Sequence, residues 1–165
     1  MLIHLARIGR FHLLKKVYDQ ISITSSVFTE VVEKGWGLAG SMETEKAVHE
    51  GWIKVLAVTD NWKARELAVV LRIQLANAET VQLAREVKAD VLLADEMEVR
   101  ELAAEFSLGV VGCLGLLVEA VRRGLMSVEE ARQDAKRLMD EGYRISKEVL
   151  RRFYTILESE GSERR

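Results

Sequence analysis

Two adjacent acids, Asp95 and Glu96, stand at the end of the apolar run Val91-Leu92-Leu93-Ala94, and a helical pattern starts directly after them. The run reads as a buried strand, and the carboxyl ends of strands in an open parallel sheet are where ligands usually bind. Glu30, in the helix after an earlier strand, and Glu79, in the helix before "DVLLAD", are acids that could meet Asp95. Converging carboxylates suit Mg²⁺ or Mn²⁺, hard ions that prefer oxygen ligands and keep several waters. Such an ion activates water and stabilises charge on a phosphate. A plainer role fits the same residues. Asp95 can be the N-cap of the helix that follows, with Glu96 in its first turn favoured by the helix dipole. Spacing alone leaves both open.

The remaining reactive side chains form no comparable group. His4, His12 and His49 lack the paired spacing of zinc sites. Cys113 follows "VVG" at the start of a helical stretch with no histidine near it in sequence, so it reads as a small buried thiol. "GCLG" and "GWGLAG" lack phosphate-loop spacing. Trp36 and Trp62 could stack bases, whereas Trp52 at a strand start reads as core. The cation pairs Lys15-Lys16, Arg122-Arg123 and Arg151-Arg152 read as solvated helix faces.

The chain that must position these residues has 165 of them, with 48% hydrophobic content and a net charge of −2. That length fits one domain with a real core, and the balance of charge does not announce a nucleic-acid binder. One cysteine allows no internal disulfide and suits a cytoplasmic protein. No apolar run approaches the ~18 residues of a membrane span.

Apolar spacing predicts two short helices in "MLIHLARIGRFHLLKKVYD", interrupted at Gly9. "QISITSS" alternates as a strand, and Ser25 or Ser26 can cap the helix "VFTEVVEKG". Ser41 can cap a helix reaching Glu50. "GWIKVLAV" is a second strand, followed by helices over roughly 61–74 and 77–88. "DVLLAD" is a third strand, "EMEVRELAAEFS" a helix and "GVVG" a fourth strand. Helices then cover 113–123, 127–141 and 146–160, with Gly124, Gly142 and Gly161 as stops. The stripe Ile145, Val149, Leu150, Phe153, Ile156 and Leu157 would dock the last helix. Strands separated by helices imply parallel pairing in an α/β fold with a helical C-terminal third.

Taken in order, "LIHLARIG", "VFTEVVEKG", "AVHEGWIKV", "NAETVQLAREVKADVLLADEMEVRELA" and "LGVVGCLGLLVEAVRRGLM" resemble the PIN-domain-like proteins. The likeness is to an uncharacterised branch related to bacterial and archaeal toxin ribonucleases. It implies a three-layer α/β/α sandwich with a parallel sheet, read here as a single domain over 1–165 with 127–165 as a helical extension. It also implies an acid cluster that binds Mg²⁺ or Mn²⁺ for RNA cleavage. On this chain the second acid falls on Glu30 and the fourth on Asp95, the two catalytic candidates, and Glu96 stands where a further acid often follows. RNA, an antitoxin-like protein and a second copy in a homodimer are the implied partners. The alternative is a non-catalytic relative that binds RNA or a protein.

Two departures stand out. The family begins with a central strand ending in aspartate, whereas Met1 falls where the next helix starts, so that strand and its acid are missing from the chain given. The third acid falls on Asn77, and Glu79 lies two residues later, roughly 200° around an ideal helix. Asn77 shares a face with Val81 and Ala84, while Glu79 groups with Gln82 and Glu86. Asn77 and Glu79 are therefore lesser metal candidates, and the expected acid set is incomplete.

Overall fold

The computed structural model describes residues 1–163; positions 164 and 165 of the expected C-terminal extension lie outside the described residues. Helix α1 (Leu2–Arg7) and helix α2 (His12–Tyr18) are separated at Gly9, whose φ of 71° is a left-handed conformation that favours glycine. Strand β1 (Ile21–Thr24) runs into α3 (Ser25–Phe28), which continues as a π-turn over Thr29–Glu33. The cap here is Thr24, not Ser25 or Ser26: its Oγ1 accepts the Val27 N–H at 3.1 Å. Likewise Gly40, not Ser41, caps α4 (Ser41–His49). Glu43 reaches back to accept the Gly40 N–H at 3.0 Å, and Ser41 is buried instead.

Strand β2 (Ile53–Leu56) leads to the helical hairpin α5 (Asn61–Leu71) and α6 (Leu75–Glu86). The Glu86 carboxylate ties the two ends of this unit, accepting the N–H groups of Thr59 at 2.8 Å and Asp60 at 2.9 Å. The expected strand "DVLLAD" pairs over only Leu92–Leu93 as β3, because its partner β4 is equally short (Val110–Val111). Helix α7 (Met97–Glu105) lies between them in sequence. Helices α8 (Cys113–Arg122), α9 (Val128–Asp140) and α10 (Lys147–Glu163) complete the described chain. Ser127 and Glu130 form a capping box at α9. Gly124 and Gly142 follow helix ends at φ 70° and 85°, whereas Gly161 lies inside α10 and stops nothing.

The fold is a helix-rich α/β arrangement with short parallel strands. The pairing is in two halves: β1 with β2, Ile21 opposite Ile53, and β3 with β4, Leu92 opposite Val110. No described strand joins them. The cores follow the same division. Leu5, Leu13, Leu14, Leu116, Leu117, Leu138 and Leu157 are buried in the larger one with Ile23 and Ile53. Val81, Leu92, Val99 and Leu102 anchor the smaller one. Within α10, Phe153 and Leu157 are buried, while Val149 of the expected stripe is exposed.

One buried charge fastens the C-terminal helices to the N-terminal ones. Asp134 on α9 is 1% exposed and accepts hydrogen bonds from Arg10 Nε at 2.5 Å and Arg137 Nη1 at 3.2 Å. Arg10 lies between α1 and α2, far from α9 in sequence. Removing Arg10 takes away the shorter of the two bonds and leaves Arg137 as the remaining cation on the buried carboxylate, so the charge is only partly compensated. Arg10→Ala is expected to destabilise the chain by about 2 kcal/mol, read as a lower urea midpoint. A loss well under 1 kcal/mol would show that another contact holds α9 in place.

Candidate functional site

A cleft of about 1000 Å³ lies between the two strand pairs. Its walls include Ile21–Thr24 from β1 and Asp90–Ala94 around β3, while Thr80, Leu83 and Ala84 of α6 also line it. Met1 and Leu2 reach it from the start of α1. Its charged residues are Glu30, Asp90, Glu96 and Glu98 against one lysine, Lys88.

Of the residues singled out in the sequence, Glu30, Asn77 and Glu96 line this cleft, and Glu79 and Asp95 do not. Asn77 and Glu79 thus separate as their helical rotation requires. The Asn77 amide donates to Glu98 Oε2 at 3.4 Å. Glu98, in the first turn of α7, was not a sequence candidate; its place three residues beyond Asp95 was the available signal.

The Asp95 side chain is 5% exposed and fully engaged. Its Oδ1 accepts the backbone N–H of Cys113 at 2.8 Å and the Tyr143 hydroxyl at 2.6 Å. Its Oδ2 accepts the Cys113 thiol at 3.0 Å and pairs with the α-amino group of Met1 at 3.2 Å. Asp95 therefore caps a helix, but not the one that follows it: Cys113 is the first residue of α8. The N-cap of α7 is Glu96, whose side chain makes no capping bond and instead accepts the Asp95 N–H at 3.2 Å. Gly112 is required beside this group, since a Cβ there would lie 2.8 Å from Asp95 Oδ1. Neither Tyr143 nor the Met1 amine carried a sequence signal, because no local periodicity links them to Asp95.

Burial alone would raise the Asp95 carboxyl, but the Met1 ammonium and the Cys113 and Tyr143 bonds outweigh it and hold the group below its ordinary value. Burial, and then the Asp95 charge, push both the Cys113 thiol and the Tyr143 hydroxyl far up. His4 packs edge-on against Tyr143 at 4.9 Å between ring centroids, and burial followed by the Met1 ammonium lowers its pKa. The arrangement fixes charge and keeps its neighbours neutral.

A divalent ion fits this donor set poorly. Among the described residues, no group of three or more His, Cys, Asp or Glu side chains could hold a metal ion. Both Asp95 oxygens already accept donors from Cys113 and Tyr143. Glu30, Glu96 and Glu98 share the cleft without forming a metal-binding group.

Two outcomes test this description. Asp95→Ala strands a buried ammonium and a buried hydroxyl, with an expected loss of about 3 kcal/mol. Because the folded state lowers the Asp95 pKa, its stabilisation is complete above about pH 5 and fades as the pH falls through the folded value. The stability gap between wild type and Asp95→Asn should therefore narrow on acidification, and a constant gap from pH 7 to 3 would contradict it. Cys113, 0% exposed, should resist alkylation in the native state and react only at the rate of unfolding. Rapid native labelling by iodoacetamide would contradict its burial.

A family model described as a PIN domain matches residues 1–159. No curated protein and no solved structure matches the chain.

Proposed function

The chain belongs to the PIN-domain family, and from that premise we propose that it is a non-catalytic member that holds a protein partner in the cleft between its strand pairs. The observation that carries this reading is the commitment of Asp95. Its two oxygens accept the Cys113 N–H, the Cys113 thiol and the Tyr143 hydroxyl, so the carboxylate expected to bind metal supports the fold instead. The cleft charge favours a protein over RNA. Phosphodiesters are bound by cations, and Glu30, Asp90, Glu96 and Glu98 outnumber Lys88 on its walls. A polypeptide carries no such electrostatic penalty.

The finer features of the reading are proposals of the same standing. The layers form an α/β/α sandwich, and the chain is one domain whose 127–165 region packs on the rest. The protein works in the cytoplasm. Its partner is of the antitoxin-like kind that the resemblance implies, and exposed Trp62, Val69 and Val70 on α5 support a homodimer.

A second reading, a divalent-metal-dependent ribonuclease of PIN type, draws on one observation: Glu30, Glu96 and Glu98 line a single cleft beside Asn77. In that reading Glu30 and Asp95 would hold Mg²⁺ or Mn²⁺, with Glu96, and more weakly Asn77 or Glu79, as accessory ligands. The two readings separate on a mixed-sequence single-stranded RNA incubated with Mn²⁺ or with chelator, beside Glu30→Gln. The expected outcome is no metal-dependent cleavage by folded protein. Cleavage that needs Mn²⁺ and is lost in Glu30→Gln would establish the ribonuclease and overturn the binding reading.

A further inference from the structure

The outer face of α5 carries large apolar side chains in water. Trp62 is 80% exposed and Val69 78%, with Val70 exposed beside them, whereas Ala64 on the inner side is buried with Val58 and Leu83. On an ideal helix, residues 62, 65, 66 and 69 fall within about 100° of one another, and residue 70 borders them. The stripe therefore reads Trp62, Arg65, Glu66, Val69, with two opposite charges at its centre and an apolar side chain at each end. Glu66 holds Lys63 through Oε2 at 2.8 Å, and Arg65 forms no hydrogen bond or ion pair among the described residues. None of the four stripe residues lines the cleft.

We propose that α5 packs antiparallel on α5 of a second copy, about a two-fold axis that passes between Arg65 and Glu66. The inference rests on the homodimer of the reading above and supplies its contact. Such an axis sets Trp62 against Val69 of the second copy and Arg65 against its Glu66, and repeats both contacts in reverse. Charge selects this arrangement. A parallel one would set Arg65 against Arg65 and Glu66 against Glu66, and like charges in contact are costly. Charge also selects the occupant. With one cation and one anion side by side, the stripe favours neither an acidic nor a basic partner. A surface that carries the same two charges in reversed order satisfies both, and this helix turned end for end is such a surface. The apolar ends match in the same way, a broad indole against a small valine. Aromatic side chains bury about 150–250 Å² each, and the axis counts Trp62, Val69 and Val70 twice. The contact is thus near the lower end of stable interfaces, about 1,000 Å² in total. The dimer is a reversible one.

The test is sedimentation of the full chain over a wide range of concentration, beside Arg65→Glu, Glu66→Arg and the double exchange of both. Wild type should pass reversibly from monomer to dimer as concentration rises. Each single exchange sets like charges across the axis and should raise the dimer Kd at least tenfold. The double exchange restores opposite charges in reversed order and should return Kd close to the wild-type value. Trp62→Ala should also weaken the dimer at least tenfold, and it should abolish a blue shift of tryptophan emission that accompanies dimerisation of the wild type. All of these side chains are exposed, and circular dichroism verifies that each variant is folded. A dimer that survives every variant, or a double exchange as dissociated as the single ones, overturns this contact and leaves the homodimer to another face. A monomer at every soluble concentration overturns the contact and the homodimer together, and leaves the α5 face to an unlike partner. None of these results produces Mn²⁺-dependent RNA cleavage, the outcome that defeats the binding reading itself.

Discussion

A carboxylate withdrawn from water must find charge or hydrogen-bond donors inside the protein, and Asp95 gathers them from separate parts of the chain. Met1 supplies an ammonium, Cys113 a backbone N–H and a thiol, and Tyr143 a hydroxyl. The start of α1, the end of β3, the start of α8 and the segment between α9 and α10 thus meet at one point. The orientation of these elements is coupled, because moving any of them strips a donor from a buried charge. A neutral thiol and phenol around a single carboxylate are the expected chemistry of such a point.

The division of the sheet follows from the same geography. Asp95 ties β3 to α1 and α8, and the larger core spreads from there through α1, α2, α8 and α10 to β1 and β2. On the other side, α6 and α7 cover β3 and β4 with a smaller core. The cleft is the space between these two packed bodies, and its walls combine apolar side chains with a group of acids. An acidic cleft has poor complementarity to phosphate. The PIN-domain family supplies the scaffold, while the donor set at Asp95 supplies the reason to read this member as a binder.

A second buried carboxylate, Asp134, does for the C-terminal helices what Asp95 does for the strands. Its two arginine partners come from α9 itself and from the α1–α2 corner. Packing of Phe153 and Leu157 then seats α10 on the same body. Both acids act through long-range partners, so their effect is on the relative placement of elements more than on any one helix.

The sequence by itself determined the order and kind of the elements. Gly9, Gly124 and Gly142 mark breaks because positive φ favours glycine, and Ser127 with Glu130 writes a helix start into four residues. The sides taken by Asn77 and Glu79 were also legible, since rotation per residue on a helix is a local property. Ends of elements were less so: Thr24 and Gly40 displaced neighbouring serines as caps, and Gly161 stayed helical. Only the tertiary structure decided which helix Asp95 caps, because the competing N–H at Cys113 lies 18 residues away and is brought in by folding. It alone decided that Glu30, Asn77, Glu96 and Glu98 share a cleft that Asp95 does not line. Capping, helical rotation and turns depend on neighbours in the chain; the fate of a buried charge depends on whatever the fold packs around it.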